Sequence, residues 1–150
     1  AASLPQMSCG KDAAKMWLNF LHPSEKTDIK DANDLSAVIR LEYRGYSVLF
    51  TGDLGEDGER ELISECDGLS ADVLKVGHHG SRYSTSEEFL RAVDPDLAII
   101  SAGKNNRYGH PHGETLDRLD ACGANVMSTI EHGAICVRIT DDGISVTGYR

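Results

Sequence analysis

Carboxylate and imidazole side chains follow three short apolar runs of this chain of 150 residues. Asp53 comes directly after the first run, and the pair His78 and His79 comes after the second. His110 and His112, separated by one proline, follow the third. These side chains are ligands of borderline divalent metals such as Zn²⁺ and Mn²⁺. Two such ions can hold a phosphodiester and supply a bound hydroxide, so the residue types indicate metal-assisted hydrolysis.

The three groups meet in space if the apolar runs are neighbouring parallel strands. The runs YSVLF, DVLKV and DLAIIS have the length and composition of buried strands. Each run is followed by an amphipathic helical pattern, over 56–66, 84–93 and 113–123 respectively. Strands that alternate with helices are typical of an α/β layer. Sites in such sheets form beyond the carboxyl ends of the strands, which is where all three groups lie. The pattern therefore predicts one shared metal site.

The remaining segments complete the predicted layer. Residues 35–43 and 46–50 are predicted to be paired strands that turn at Arg44 and Gly45. Three closing strands are predicted over 125–129, 134–140 and 144–149, with His132 in a hairpin turn. Residues 1–14 are small and polar, so we expect a poorly ordered edge followed by one structural unit over 15–150.

Each of the chemical groups also has a plainer interpretation. Asp53 has the position of a helix-capping or turn residue, and the two adjacent histidines fit an exposed turn. The polar loop that ends at His112 fits an ordinary cap of the next helix, although its Arg107 is a candidate anion contact. His22, which precedes a proline, fits a structural histidine better than a ligand. The spacing of these residues does not decide between the plainer interpretations and the metal site.

Composition limits the classes of function. The net charge of −9 and the pI of about 5.0 do not resemble the basic footprint of a nucleic-acid binder. The acidic side chains are concentrated in one segment, however. Residues 53–72 hold eight acidic side chains and one arginine, whereas residues 75–112 hold five basic and four acidic ones. The four cysteines have no CxxC spacing, and no apolar run is long enough to span a bilayer. The chain is expected to be a soluble domain.

Five ordered segments closely resemble the metallo-β-lactamase-like domain of ComEC-type competence proteins: NDLSAVIRL, VLFTGDLG, ADVLKVGHHGSRYSTSEEFL, AIISAGKNNRYGHPH and ETLDRL. The resemblance covers most of the chain, and its most specific parts are VLKVGHHGS and GKNNRYGHPH. It implies an αββα sandwich that binds one or two divalent metal ions, Zn²⁺ or Mn²⁺, and has hydrolase activity. It also implies attachment to a membrane channel for DNA uptake, on the extracytoplasmic side, and degradation of the DNA strand that is not transported.

The same resemblance assigns roles to individual residues. Asp53 would be the metal-bridging carboxylate and His79 a late histidine ligand. His78 and His110 are expected to be catalytic. The substrate is expected to contact four further residues, namely Ser81, Asn106, Arg107 and His112.

The family's first metal motif, HxHxDH or HxDxDH, has no match in this sequence. We therefore expect the chain to correspond to the second half of the sandwich, to leave one sheet face uncovered and to be nearly inactive alone. The expected partners are DNA, the first half of the domain, the channel of the parent protein and, for the uncovered face, a second copy. Two alternatives are a fragment of a phosphorylcholine-esterase-like hydrolase and a catalytically silent pairing module.

Overall fold

The computed structural model describes residues 15–25, 27 and 31–150, whereas the predicted edge 1–14 lies outside them. Six strands form one sheet in the order of the sequence. The first three strands pair antiparallel, and the third to sixth pair parallel. The strands are β1 (Met16–His22), β2 (Val38–Tyr43), β3 (Tyr46–Phe50), β4 (Val73–Lys75), β5 (Leu97–Ile100) and β6 (Asn125–Ser128).

Three helices connect the parallel strands. These are α1 (Glu56–Glu65), α2 (Glu87–Val93) and α3 (Gly113–Ala121). Right-handed crossovers between strands that follow one another across the sheet place all three helices on the same face. Their apolar side chains bury that face: Leu62, Phe89, Leu90 and Leu119 form one core with Leu49, Leu74 and Ala98 of the sheet. The α/β class is confirmed.

Two predicted boundaries are shifted for local reasons. The helix predicted over 84–93, with its cap expected at Ser84, Thr85 or Ser86, begins at Glu87, because the Ser86 side chain accepts a hydrogen bond from the Phe89 amide and caps it. The strand predicted over 35–43 begins at Val38, because the amide of Ser36 closes a turn onto the Asn33 carbonyl.

The three predicted closing strands are present, but they do not pair with one another as one group. β6 joins the parallel sheet, and His132 ends a short helix, α4 (Thr129–His132), rather than lying in a hairpin turn. The last two strands, β7 (Ala134–Thr140) and β8 (Gly143–Tyr149), form a separate two-stranded sheet. Ile144 and Val146 of β8 line one cavity with Val73 and Leu97, so this hairpin covers part of the second sheet face.

The rest of the second face is apolar and half exposed. Phe20, Ile39 and Phe50 are direct neighbours across β1, β2 and β3, and the same row continues through Lys75 to Ile99. The exposed fractions of Phe20 and Phe50 are 39% and 42%. Within the described part of the chain, the sheet thus has one face packed by helices and one face only partly covered.

Two further expectations concern cysteines and membranes. Cys66 and Cys122 are half buried and Cys136 is exposed, all three as free thiols, whereas Cys9 lies outside the described residues. Burial raises the pKa of the Cys66 thiol. Among residues 15–25, 27 and 31–150, every helix is too short or too polar to cross a bilayer.

Candidate metal centre

The carboxyl ends of β3 and β4 bring Asp53 and His79 together. The loop after β3 ends in Asp53, and the turn Gly77–Gly80 follows β4, which pairs parallel to β3. Asp53 Oδ1 lies 3.6 Å from His79 Nε2, and both side chains are about half exposed. This distance exceeds that of a hydrogen bond, so the lone pairs of both groups stay available. The predicted pairing of carboxylate and imidazole is present.

The backbone fixes the ring of His79. Its Nδ1 lies 2.7 Å from the carbonyl oxygen of Ser101 at the end of β5. Since a carbonyl can only accept, Nδ1 is the donor of this hydrogen bond, and Nε2 is the ring nitrogen left for a metal ion. Metal-binding histidines are commonly oriented by such a bond from their other ring nitrogen. Three adjacent strands therefore contribute to this one pair.

Residues from the segment before β2 hold the Asp53 loop. The Ser36 hydroxyl accepts a hydrogen bond from the Asp53 amide at 3.0 Å. The carboxylate of Asp34, which is nearly buried, accepts one from the Gly55 amide at 2.9 Å. The hydroxyl of Thr51 donates to the Lys75 carbonyl at 3.0 Å and joins the loop to β4. The carboxylate of Asp53 is thus carried by a loop fixed on both sides.

Close packing explains the glycines that flank the two histidines. A Cβ atom at Gly77 would lie 2.3 Å from Ser84 Oγ, and one at Gly80 would lie 2.7 Å from Pro111 Cβ. Gly80 also has a φ of +85°, a conformation that favours glycine. Between them, His78 and His79 adopt positive φ values of 44° and 56°. The two rings take different directions as a result, and His78 faces His110 rather than Asp53.

His110 lies at the centre of an aromatic cluster. Its ring centroid is 5.6 Å from that of His78, 6.4 Å from that of His79 and 4.8 Å from that of His112. Burial lowers the pKa of His110, and the nearby His112, His78 and His79 lower it further, against the opposing attraction of Asp53. The ring is therefore neutral near pH 7 and able to take up a proton.

Asn106 holds this histidine in place. Its side-chain oxygen accepts from the His110 amide at 2.8 Å, and its amide nitrogen donates to the carbonyls of His110 and Gly103, each at 2.7 Å. The structure thus engages both ends of the Asn106 side chain within its own loop, and the residue also lines the cavity beside His79.

The other predicted substrate contacts differ in accessibility. Ser81 has an exposed fraction of 2% and lies in the turn beneath the histidines. His112 Nδ1 accepts from the Arg82 amide at 3.0 Å, which ties its ring to the loop after His79. Arg107 is exposed, as a contact to an anion requires. Ser81 therefore lies away from the open surface, whereas Arg107 is on it.

Sequence reasoning gave no role to four residues beside the site: Asp34, Ser36, Lys75 and Tyr108. The first two belong to the NDLS segment, which carried part of the resemblance but no chemistry of its own. Lys75 ends β4, where burial lowers the pKa of its ammonium against the attraction of Asp53. Tyr108 stacks on His110 at 5.7 Å between ring centroids. In the sequence, Tyr108 directly follows Arg107 and lies two positions before His110, and this position was the signal that could have identified it.

The donor set suits a borderline divalent metal. One carboxylate and one oriented imidazole face each other, which is the chemistry of Zn²⁺ and Mn²⁺ sites. Within the described part of the chain, no group of three or more potential ligand residues forms a complete site. Asp53 and His79 therefore fit two ligands of a metal centre.

Comparison with known proteins identifies the family of the chain. Residues 28–104 match the model of the Metallo-beta-lactamase superfamily. The chain is 46% identical over 114 residues to ComE operon protein 3 of Bacillus subtilis, covering 76% of this chain and 15% of that protein. It is 39% identical over 132 residues to competence protein ComA of Neisseria gonorrhoeae, covering 87% of this chain and 19% of that protein.

A third relative, recombination protein 2 of Haemophilus influenzae, is 39% identical over 145 residues, which are 95% of this chain and 18% of that protein. The chain thus spans less than a fifth of the length of each of these relatives. The resemblance to ComEC-type competence proteins is confirmed.

Proposed function

The chain belongs to the metallo-beta-lactamase superfamily, and we propose that it supplies the late ligands of a metal-dependent DNA phosphodiesterase within a competence protein. One observation carries the proposal: Asp53 and the oriented ring of His79 face each other at 3.6 Å where two parallel strands end. The resemblance to ComEC-type competence proteins directs the choice of DNA as the substrate.

Each residue of the site then has a distinct task. Asp53 and His79 hold one or two divalent ions, which when bound supply a Lewis acid and lower the pKa of water. Ser36, Asp34 and the Ser101 carbonyl keep the two ligands in place without touching substrate. The neutral ring of His110 accepts or returns a proton at a ring nitrogen, and His78 lines the same cluster.

The phosphate of the substrate is bound on the side of the loop 101–112. Arg107 is exposed there and presents a planar set of donors suited to phosphate oxygens. His112 and Asn106 support this loop from behind, since their side chains are bonded to Arg82 and His110. Phosphate contact thus falls to Arg107, within one residue of the aromatic cluster.

Metal content and hydrolysis test the proposal together. The purified chain is loaded with Zn²⁺ or Mn²⁺ and analysed for metal beside H79A and D53A, with H132A as the matched control. His132 also has its Nδ1 on a backbone carbonyl, that of Ser128 at 3.2 Å, but lies away from the pair. We expect weak binding that falls at least about 10-fold in H79A and D53A but not in H132A.

The longer parent protein provides the activity test. We expect it to cleave DNA with added metal, and D53A to abolish cleavage while leaving the folded state intact by circular dichroism. Equal metal content in the chain and in H79A, or unchanged DNA cleavage by the D53A parent, contradicts the proposal.

The half-exposed apolar face supports a second candidate, a module that pairs through its sheet. Phe20 and Phe50 lie on either side of Ile39 in β2, with 39% and 42% of their surface exposed. Apolar surface of this kind is stabilised when a second layer covers it. We propose the first half of the domain, in a membrane-bound parent with this domain outside the cytoplasm, as the covering layer. Dimerisation of the chain, lost in F50D, would instead identify a second copy.

A further inference from the structure

Resting on the proposed phosphodiesterase function, we propose that the loop 101–112 is a binding surface for single-stranded nucleic acid. In this surface, Tyr108 stacks on a nucleobase while Lys104 and Arg107 bind the neighbouring phosphates. The surface lies directly beside the metal ligand His79, so it would hold the nucleotide next to the phosphate that is cleaved.

A cavity of about 290 Å³ adjoins the metal centre on this side. Tyr108, His110 and His79 line it together with Ser101, Ala102, Gly103 and Asn106. Three of these side chains are aromatic rings and three are small, so the space suits a flat ring rather than a long flexible chain. A cavity of this size lies at the lower end of those that hold small organic groups.

The aromatic rings of this side are already stacked. The Tyr108 ring lies 5.7 Å from that of His110 with 23° between their planes, and His110 lies 6.4 Å from His79 with 17° between theirs. The Arg107 guanidinium lies 5.1 Å from the Tyr108 ring centroid and donates to the Tyr108 hydroxyl at 3.1 Å. Even so, 63% of the tyrosine surface is exposed. A further planar group can therefore join the stack.

The charge of the loop suits a polyanion. Residues 101–112 contain Lys104 and Arg107 and no carboxylate, in a chain of net charge −9. Both cations are exposed and stand on either side of Asn105 and Asn106. Stacking platforms next to basic side chains are the usual way to bind single strands without sequence preference.

The opposite side of the centre has a tyrosine in a different environment. Tyr83 is 70% exposed and lines a cavity of about 380 Å³ with His78. That cavity is lined by four carboxylate residues, namely Asp31, Asp34, Glu56 and Asp57, and by Arg60. A phosphate backbone would be repelled there. Tyr83 is thus equally accessible for stacking but wrongly placed for a nucleic acid.

Single-stranded substrate follows from the stacking. In a duplex, both faces of a base are covered by its neighbours, so a base must leave the stack before it can lie on Tyr108. A single strand provides such a base at lower cost. We therefore expect a preference for single strands over duplexes of the same sequence.

Fluorescence anisotropy of the chain in EDTA, at low ionic strength, tests the surface without cleavage. The probes are a short labelled oligothymidylate, an abasic oligonucleotide of equal length and a duplex. We expect Y108A to weaken oligothymidylate binding about 10-fold and Y108F to retain it, because the ring face that stacks on the base is kept in Y108F. Binding of the abasic strand should be the same in all variants, and Y83A is the matched control.

Equal affinity of the unaltered chain for the oligothymidylate and the abasic strand overturns the proposal. So does an equal loss in Y83A and Y108A, or tighter binding of the duplex. The D53A variant of the chain and the cleavage assay of the parent protein separate this test from that of the proposed function. Base-dependent binding that persists in D53A, together with no DNA cleavage by the unaltered parent, supports the surface and contradicts the phosphodiesterase. DNA cleavage by the unaltered parent, together with base-independent binding by the chain, supports the phosphodiesterase and overturns the surface.

Discussion

The two sides of the metal centre present similar aromatic groups in opposite electrostatic surroundings. Tyr108 is 63% exposed beside Lys104 and Arg107, whereas Tyr83 is 70% exposed above a cavity lined by carboxylates. Exposure of an aromatic ring is common on protein surfaces and identifies no ligand by itself. The charges around such a ring therefore decide which ligand it can bind, because a nucleobase is attached to phosphates.

The two sides also differ in how their loops are held. Neutral Asn106 bonds three backbone groups of the basic loop. On the acidic side, the buried carboxylate of Glu59 accepts from the amides of Thr85 and Ser86, the latter at 2.9 Å. Arg118 binds the carbonyls of Ser84 and Thr85, each at 2.9 Å. One loop thus depends on an uncharged amide, and the other on a buried carboxylate and a partly buried guanidinium.

Reversing the charge of the basic loop should have the largest effect. The double variant K104E and R107E is expected to weaken oligothymidylate binding about 100-fold at low salt, because phosphate contacts dominate such affinities. Anisotropy titrations measure it. R138E with R150E, two exposed arginines elsewhere, makes the same change in net charge. An equal loss in this control would show that overall charge, and not the loop, binds the strand.

Removing the support of His110 should have the next largest effect. N106A leaves three backbone groups without their partner, and we expect about a 10-fold loss of oligothymidylate affinity. Stability should fall by about 1–3 kcal/mol, the usual cost of leaving such groups unpaired. Urea unfolding and anisotropy measure both quantities. Asn105 is an exposed amide in the same loop, and N105A should change neither quantity. Losses in N105A equal to those in N106A would show that the hydrogen bonds of Asn106 have no special role.

Neutralising the acidic side should have a smaller effect of opposite sign. The double variant E56Q and D57N is expected to raise oligothymidylate affinity about 3-fold, since exposed charges act weakly over distance in salt water. D117N with D120N, on the exposed surface of α3, is the matched control. A gain much above that of the control, together with dependence on Tyr83, would place the strand on the acidic side.

The smallest effect concerns the pH dependence of folding. Burial raises the pKa of Glu59 above its ordinary value of 4.5, so the folded state binds this proton more tightly than the unfolded state. The stabilisation is complete below that value and declines as the pH rises through the folded-state pKa. E59Q cannot titrate there. Its stability relative to the unaltered chain, measured by urea unfolding, should therefore increase as the pH rises above 4.5.

Glu131 provides the control for this pH test, because it is exposed on the short helix α4. E131Q should leave the pH profile of the unfolding midpoint unchanged. A profile for E59Q that runs parallel to that of the unaltered chain would show that Glu59 titrates alike in both states.

Much of the layer could be predicted from the chain alone. The alternation of apolar runs and amphipathic segments identified the strands and helices, because burial imposes a period on each element. Boundaries were less accurate where side chains compete with the backbone, as at Ser36 and Ser86. The separation of the β7–β8 hairpin from the main sheet could not be foreseen, because it depends on which strands find partners across space.

The sequence by itself determined the chemistry of this protein: a carboxylate and histidines placed after consecutive strands, which meet because parallel strands end at one edge of a sheet. Tertiary structure decided which of these groups face each other. It turned His79 toward Asp53 and His78 toward His110, committed Asn106 to the backbone and left Tyr108 open beside two cations. Such orientations depend on backbone angles and on contacts between distant segments, which residue spacing does not encode.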